Sequence, residues 1–309
     1  MAQVAVVFAG QGAQHPGMGK ELYDASAAAR SVLKMAERLR PGTLWQCFEG
    51  TKQELSETVN TQPCVFAVDL ACAEALREAG ADVRGVAGFS LGEVAALAFT
   101  GILSAEDAFR LVCKRAELME RCSVENPGAM AAVLGLETEK AERVCREAGV
   151  WPVNYNCPGQ LVAAGETEAI SSLRKHAVQA GGKAVRLAVS GAFHSPLMAK
   201  ASDGLAEELQ NYTLQSPAVP LYANATANPY GDDAAELIAR QVKSPVFWQK
   251  TIENMNAAGF DTFVEAGPGT TLSGLIRRIL PAAHVFSVED SESLERTVRQ
   301  LEEICDAEG

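Results

Sequence analysis

The sequence predicts an α/β protein built on a parallel sheet, with a smaller α+β unit inserted into it. Three observations carry that expectation. Strand-length apolar runs alternate with amphipathic stretches through the first third of the chain. A Gly-x-Ser-x-Gly run, Gly88-Phe89-Ser90-Leu91-Gly92, stands between an apolar strand and an apolar helix. From Gly128 onward the texture changes to short strands separated by charged helices. Such alternation favours layered βαβ units, because parallel strands need helical crossovers.

Residues 4–8 read as a first strand, and residues 65–78 as a helix opened by Pro63 in its first turn, with Thr61 as its cap. Residues 83–87 form the next strand, and the helix after it begins beyond Ser90. Ser104-Ala-Glu-Asp107 is a capping signature for a helix running to about Arg121, with Ala108, Leu111, Val112, Leu118 and Met119 on its apolar side. Residues 129–134, 160–164 and 184–189 read as strands separated by helices over 138–148 and 168–180. That β-α-β-α-β order fits a small ferredoxin-like unit. Strands at 219–223 and 262–266 then return to large-unit character. The expected division is a large unit of residues 1–126 and 198–309 with a small unit of 127–197 inside it.

With 309 residues, 48% of them hydrophobic, the chain can bury one large core plus a smaller one. A formal net charge of −12 argues against nucleic acid and anionic membrane as partners, since both need clustered basic surface. An anionic partner therefore needs a local patch; Lys183, Arg186 and Arg277 are candidates for a basic rim. The eight cysteines (47, 64, 72, 113, 122, 145, 157 and 305) include no C-x-x-C pair and no histidine at ligand spacing, which speaks against a metal site. They read mostly as small buried hydrophobes in a reducing compartment. The N-terminus lacks a basic leader region and no apolar run has bilayer length, so the expected location is the cytoplasm.

Three residues carry chemistry. Ser90 at a strand-to-helix corner has the setting of a nucleophile, because glycines on both sides permit a strained turn and the following helix aims free N–H groups at developing charge. A capping serine in an ordinary turn is the plainer reading. Arg115 lies four residues after Leu111 and three after Val112, on the apolar stripe of its helix. There it is either a snorkelling or internally paired arginine, or a fork for a substrate carboxylate. His194, in Val189-Ser190-Gly191-Ala192-Phe193-His194, sits where a strand ends in a glycine loop and is a candidate general base for Ser90. His15, in a glycine-rich loop, His176, in a polar helix, and His284, in a short loop after Pro281, read as structural. No acid flanks His194, so its orienting partner is a distant side chain or a backbone carbonyl.

Eight colinear segments, running from the first residues to about Ile279, together resemble the malonyl-CoA:acyl carrier protein transacylases of fatty acid synthesis. They are Phe8-Ala9-Gly10-Gln11-Gly12-Ala13-Gln14, Thr61-Gln62-Pro63, the Ser90 motif through Glu93, Arg115 in Lys-Arg-Ala-Glu-Leu-Met, Asn154-Tyr-Asn156-Cys-Pro-Gly-Gln160, the loop ending at His194, Ser244-Pro-Val-Phe-Trp248 and Glu265-Ala-Gly-Pro-Gly269. The resemblance implies a large α/β-hydrolase-like domain with an inserted ferredoxin-like subdomain. It further implies Ser90 as nucleophile, His194 as base, the backbone N–H groups of Gln11 and Leu91 as oxyanion hole, and Arg115 as the grip on the malonyl carboxylate. Gln62 and Met119 match positions lining the acyl pocket. Phe193 matches a bulky residue of malonyl-selective members, and is otherwise a plain core phenylalanine. The carbonyl that orients His194 is expected near Phe247. Ala9 departs from the proline often found in the first glycine loop, leaving Gln11 in register. Malonyl-CoA is the implied donor and acyl carrier protein the acceptor, with no permanently bound cofactor.

Two enzymatic alternatives and one binding alternative stand beside this. A serine thioesterase or esterase on an ordinary α/β-hydrolase frame normally carries its histidine near the C-terminus, after an acid, whereas more than a third of this chain follows His194. A free-standing polyketide acyltransferase would use the same chemistry. A phosphate-binding loop at Gly267-Pro-Gly269-Thr-Thr lacks the Lys-Ser/Thr ending of a P-loop.

Overall fold

A computed structural model describes residues 3–307 as two sheets wrapped by helices. Met1, Ala2, Glu308 and Gly309, and the side chains of Cys305 and Ala307, lie outside the described residues. Strand β1 (Val4–Phe8) is followed by α1 (Lys20–Ala25), α2 (Ala27–Leu39), α3 (Thr43–Glu49) and the long α4 (Thr58–Glu78). Next come β2 (Val83–Gly88), α5 (Leu91–Phe99) and α6 (Ala105–Glu125). The middle of the chain supplies β3 (Gly128–Leu134), α7 (Thr138–Ala148), β4 (Trp151–Cys157), β5 (Gln160–Glu166), α8 (Thr167–Gln179) and β6 (Lys183–Arg186). The last third adds α9 (Ala199–Glu208), β7 (Leu221–Tyr222), α10 (Ala234–Gln241), α11 (Trp248–Ala257), β8 (Thr262–Ala266), α12 (Thr271–Ile279), β9 (His284–Val288) and α13 (Ser291–Ala307).

Strands β7-β2-β1-β8-β9 form a parallel sheet. Every residue of β1 and β8 is buried, as expected when helices cover both faces of a parallel sheet. The chain leaves central β1 for β2 on one side and later reaches β8 on the other. The loops after β1, β2 and β8 therefore meet at one carboxyl edge, the usual place for a ligand in an open α/β sheet. The second sheet, β4-β5-β3-β6, is antiparallel. One of its faces packs under α7 and α8; the other contributes Met130, Ala132, Val153, Val162 and Ala164 to the main core beside Phe8 and Phe193. Of the described cysteines, all are free thiols, and Cys113 alone is only partly buried.

Several expectations need correction. Helix α4 starts at Thr58 with Glu57 as its cap residue, so Pro63 lies inside the helix instead of opening it, and Thr61 does not cap it. The carbonyl that a residue-63 N–H would have met, Val59, accepts from Arg40 Nη2 at 3.4 Å, which offsets part of the loss. The Thr61 hydroxyl donates to the carbonyls of Leu55 and Glu57. Helix α6 extends to Glu125, past the expected end at Arg121. Strand β4 has no counterpart in the sequence expectation, because Pro152 and two asparagines obscure its pattern; it is an edge strand, where proline is tolerated. The order in this region is therefore β-α-β-β-α-β instead of β-α-β-α-β. Strand β6 ends at Arg186, three residues short of the expected end at Val189. His284 opens β9, a strand missing from the sequence reading, and does not lie in a loop.

Candidate active site

The site begins at the corner between β2 and α5. Ser90 has φ 54° and ψ −101°, a left-handed conformation rare for a residue with a side chain. Close packing requires the two glycines around it: a Cβ on Gly88 would stand 2.1 Å from the Gly92 carbonyl carbon, and one on Gly92 would stand 2.2 Å from the Phe8 carbonyl oxygen. The turn is braced from the segment after β7, since Asn224 Oδ1 accepts from the Ser90 N–H at 2.7 Å while Asn224 Nδ2 donates to the Gly88 carbonyl at 2.6 Å.

His194 reaches this corner from the segment after β6. Its own φ is 62°, and its N–H donates to the Val242 carbonyl at 2.9 Å. Nε2 lies 2.6 Å from Ser90 Oγ. Nδ1 faces two carbonyls, Gln241 at 3.0 Å and Ser244 at 3.1 Å. Carbonyl oxygens only accept, so the proton sits on Nδ1 and Nε2 is left to accept from the serine hydroxyl. The orienting group is thus main chain, as expected, but at Gln241 and Ser244 and not at Phe247. The Phe247 carbonyl is already taken by the Thr251 N–H and hydroxyl at the start of α11. Burial, and then the nearby Arg115 charge, push the His194 pKa down to about 4. The imidazole is therefore a neutral base at pH 7.

Arg115 is 2% exposed. Its Nη1 donates to Gln62 Oε1 at 2.6 Å, and its Nη2 to Gln241 Oε1 at 2.8 Å and Ser90 Oγ at 3.1 Å. These partners are neutral, and among the described residues no carboxylate pairs with it directly. The compensating charge is Glu93, fully buried and linked to Arg115 through the Gln241 amide. Glu93 accepts from the Tyr230 hydroxyl, from Gln241 Nε2 at 2.9 Å and from the Asn224 N–H at 3.1 Å. Burial lifts the Glu93 pKa to about 7 against those bonds and the pull of Arg115, and burial lowers that of Arg115 to about 10, still a cation at neutral pH. A desolvated guanidinium held by amide oxygens, with one N–H on the serine oxygen, is suited to receive an anion beside that serine.

Met119, on α6 one turn after Arg115, is buried with its sulfur 3.4 Å from Gln62 Nε2, so Gln62 bridges Met119 and Arg115. Gln11 lies on the loop after β1. Gly10 presses that loop against the elbow, where a Cβ would meet the Phe89 carbonyl oxygen at 2.8 Å, and Gln11 Nε2 donates to Thr58 Oγ1 at 3.4 Å. Leu91 provides the first amide of α5, a group with no partner inside its helix. Phe193 is buried in the main core, its ring against Gly191. The four positions Ser90, His194, Arg115 and Gln62 are thus one hydrogen-bonded cluster, with Met119 at its edge. The Gly267-Pro-Gly269 loop stands apart in chemistry: the Glu265 carboxylate takes the Leu272 and Ser273 amides of α12, leaving no open anion cradle there.

Three residues of the cluster escaped sequence reasoning. Gln241 binds Arg115 through Oε1, the Ser90 carbonyl and Glu93 through Nε2, and His194 through its carbonyl. Asn224 and Tyr230 reach the same carboxylate from beyond β7. Among the described residues no cluster of His, Cys, Asp and Glu is arranged to hold a metal ion, and no helix is long and apolar enough to cross a membrane.

The chain matches the family model described as an acyl transferase domain over residues 5–300. It is 37% identical over 312 residues to the malonyl CoA-acyl carrier protein transacylase of Bacillus subtilis, with 98% of each chain covered. It is 36% identical to the protein of that name from Escherichia coli K12, covering 95% of this chain and 98% of the other. Among solved structures, the malonyl CoA-acyl carrier protein transacylase of Clostridium perfringens superposes with a TM-score of 0.95 at 34% identity over all of both chains. A malonyl-transacylase solved in complex with a type II polyketide acyl carrier protein superposes with a TM-score of 0.93 at 33% identity, covering 97% of this chain and all of that one.

Proposed function

The chain belongs to the malonyl-CoA:acyl carrier protein transacylase family of acyl transferases, and from that premise we propose how its residues divide the work of moving malonyl from coenzyme A to the carrier thiol. The activity is malonyl transfer from malonyl-CoA to acyl carrier protein. Ser90 Oγ gives its proton to His194 Nε2 and attacks the thioester carbon. The tetrahedral oxyanion is met by the N–H groups of Leu91 and Gln11, each such donor worth about 3 kcal/mol in the transition state. His194 returns the proton to the departing coenzyme A sulfur, leaving malonyl esterified to Ser90. The carrier's phosphopantetheine thiol then repeats the steps in reverse, its proton passing through His194 back to Ser90.

Arg115 grips the free malonyl carboxylate with two parallel N–H donors, exchanging its contact with the serine for the substrate. Gln62 and Gln241 hold the fork in plane, Met119 closes the pocket beside Gln62, and Phe193 packs behind the loop that carries His194. An acetyl group would leave the guanidinium unpaired, at a cost of roughly 2–5 kcal/mol, whereas one extra methyl changes binding by only about 1–3 kcal/mol. Selection for a carboxylated acyl group is therefore firm and selection against methylmalonyl weaker.

The finer architecture follows the same reading: an α/β-hydrolase-like unit of residues 1–126 and 198–309 around a ferredoxin-like unit of 127–197. It is supported by the parallel strands lying outside the middle segment and the antiparallel ones within it. We read the protein as cytoplasmic, without a resident cofactor, nucleic acid or membrane among its partners.

The 2.6 Å contact between Ser90 Oγ and His194 Nε2, with Arg115 3.1 Å from the same oxygen, is the observation that carries this account. Intact-mass measurement tests it. Malonyl-CoA should add one malonyl group, located at Ser90 and absent from Ser90→Ala, and acyl carrier protein should remove it. An adduct elsewhere, or one the carrier does not discharge, would defeat the assignment.

A further inference from the structure

Glu93 is a buried acid that the steps at Ser90 leave without a part. It lies in the first turn of α5 and is 1% exposed. Its two oxygens have different surroundings. Oε2 accepts from the Asn224 N–H at 3.1 Å and from Gln241 Nε2 at 2.9 Å, donors with no lone pair to offer in return. Oε1 meets the hydroxyl of Tyr230, which can donate to a carboxylate or accept from a carboxylic acid. The surroundings therefore suit Glu93 in either state, with the proton of the neutral acid on Oε1.

The carboxyl group is one hydrogen-bonded step from the guanidinium, since the Gln241 amide accepts from Arg115 Nη2 through Oε1 and donates to Glu93 through Nε2. A cavity of about 10 Å³, the scale of a single water, is lined by Glu93, Arg115, Tyr230 and Gln241 together with aliphatic side chains such as Leu97 and Leu111. Charges enclosed in this way couple strongly. Of the elements packed against α5, helix α6 turns Arg115 toward Glu93, while Asp69 of α4 faces Glu265 and Gly267 instead. Arg84, the one ionisable residue in β1 and β2, pairs with Asp82 at the opposite end of β2 from Ser90. Asp233 and Arg240, before and within α10, act on Tyr230. His194 stands beyond Arg115 and is neutral.

The charge balance of this cluster changes with the substrate. In the free site the Arg115 cation is offset by ionised Glu93. A malonyl carboxylate at Arg115 brings a second anion into the same enclosed region, and an unmatched buried charge is costly. A proton on Glu93 Oε1 restores the balance. Burial already lifts the Glu93 pKa to about 7, so a further anion nearby carries it upward through the neutral range.

We propose that Glu93 is the resident counter-ion of Arg115 and yields that role to the substrate, so that a malonyl group and a proton enter the site together. The proton comes from solvent and no bond of the substrate changes. Glu93 is thus a positioning residue, acting through Gln241 and Arg115. The proposal rests on the reading of Arg115 as the malonyl grip.

Binding to Ser90→Ala, which transfers no acyl group, is read by titrating malonyl-CoA and acetyl-CoA across the neutral and mildly alkaline range. Both donors carry the same nucleotide, so the ratio of their affinities cancels the titration of its phosphates. Because Glu93 is the stronger base in the malonyl complex, the preference for malonyl is constant below the free-state pKa and declines above it. It should fall roughly tenfold between about pH 7 and pH 8.5. Calorimetry in buffers of unlike ionisation heat should show roughly half to one more proton taken up with malonyl-CoA than with acetyl-CoA at about pH 8. In Ser90→Ala carrying Glu93→Gln, whose amide matches the protonated acid, the preference should stay at its low-pH level throughout and the extra uptake should vanish. A pH-independent preference, no extra uptake in the protein that keeps Glu93, or a pH dependence that survives Glu93→Gln would each overturn the proposal. Should Glu93→Gln fail to bind acetyl-CoA, the uptake measured with Glu93 in place decides alone. Absence of any malonyl preference in Ser90→Ala at every pH would overturn the reading of Arg115 instead.

Discussion

At Ser90, one oxygen is contested by an imidazole 2.6 Å away and a guanidinium 3.1 Å away, and this competition sets the pH behaviour of the free protein. Burial, and after it Arg115, pushes the His194 pKa down to about 4, so the base is lost only when the pH falls well below the ordinary histidine value. Labelling of Ser90 by a neutral active-serine phosphonate should therefore stay constant from neutral pH down to about 5 and fall below that. In Arg115→Ala one of the two depressing influences is gone, and the acid limb should move to higher pH. A limb at the ordinary histidine value in both proteins would show that the two groups do not sense each other. Ser90, His194 and Arg115 were legible in the sequence because each is a reactive or charged residue in a setting that demands explanation. Gln241 and Asn224 were not, since an amide side chain carries no charge or spacing signature and their partners lie 126 and 134 residues away. The carbonyl expected near Phe247 is that of Ser244, just before the Pro-Val-Phe-Trp run, joined by Gln241, which the sequence does not point to; the Phe247 oxygen itself is taken by the start of α11.

Among the elements, the elbow shows how glycine spacing becomes geometry. Gly92 is the first full turn's contact with β1, and a methyl there would stand 2.2 Å from the Phe8 carbonyl oxygen and 2.5 Å from that of Ala9. Gly92→Ala must push α5 off the sheet, and overpacking of that kind costs about 1–3 kcal/mol. Gly274 in α12 has nothing within 4 Å of its missing Cβ. There Gly274→Ala should stabilise by about 0.4–1 kcal/mol through the unfolded chain and helix propensity. Urea midpoints of the two variants should move in opposite directions, with acyl transfer lost only in the first; a neutral Gly92→Ala would deny the close approach. The strands and helices that follow strong periodicity, such as β1, β8 and α7, could be read directly. The start of α4 could not, because Pro63 ordinarily marks a first turn and only the distant Arg40 compensates for it in the interior. Nor could β4, whose proline and asparagines make sense only once its edge position is known.

Over the whole molecule, the parallel sheet supplies Ser90, its helical cover supplies Arg115, and the segment leaving the antiparallel sheet supplies His194. Neither sheet holds a complete site, and the main core shared between them fixes their registration. The change of texture at Gly128 marks where the antiparallel sheet begins, but not how its inner face meets the main core, since that contact joins residues from every third of the chain. The central claim is that a buried guanidinium with no carboxylate paired directly to it selects an acyl group by its far carboxylate while serine and histidine act on the near thioester. Comparing kcat/KM for malonyl-CoA and acetyl-CoA in the unaltered chain and in Arg115→Ala tests it most directly. Malonyl transfer should drop by a factor equivalent to roughly 2–5 kcal/mol while acetyl transfer holds or rises, so that the preference for malonyl collapses. An Arg115→Ala protein that keeps its malonyl preference would contradict the account.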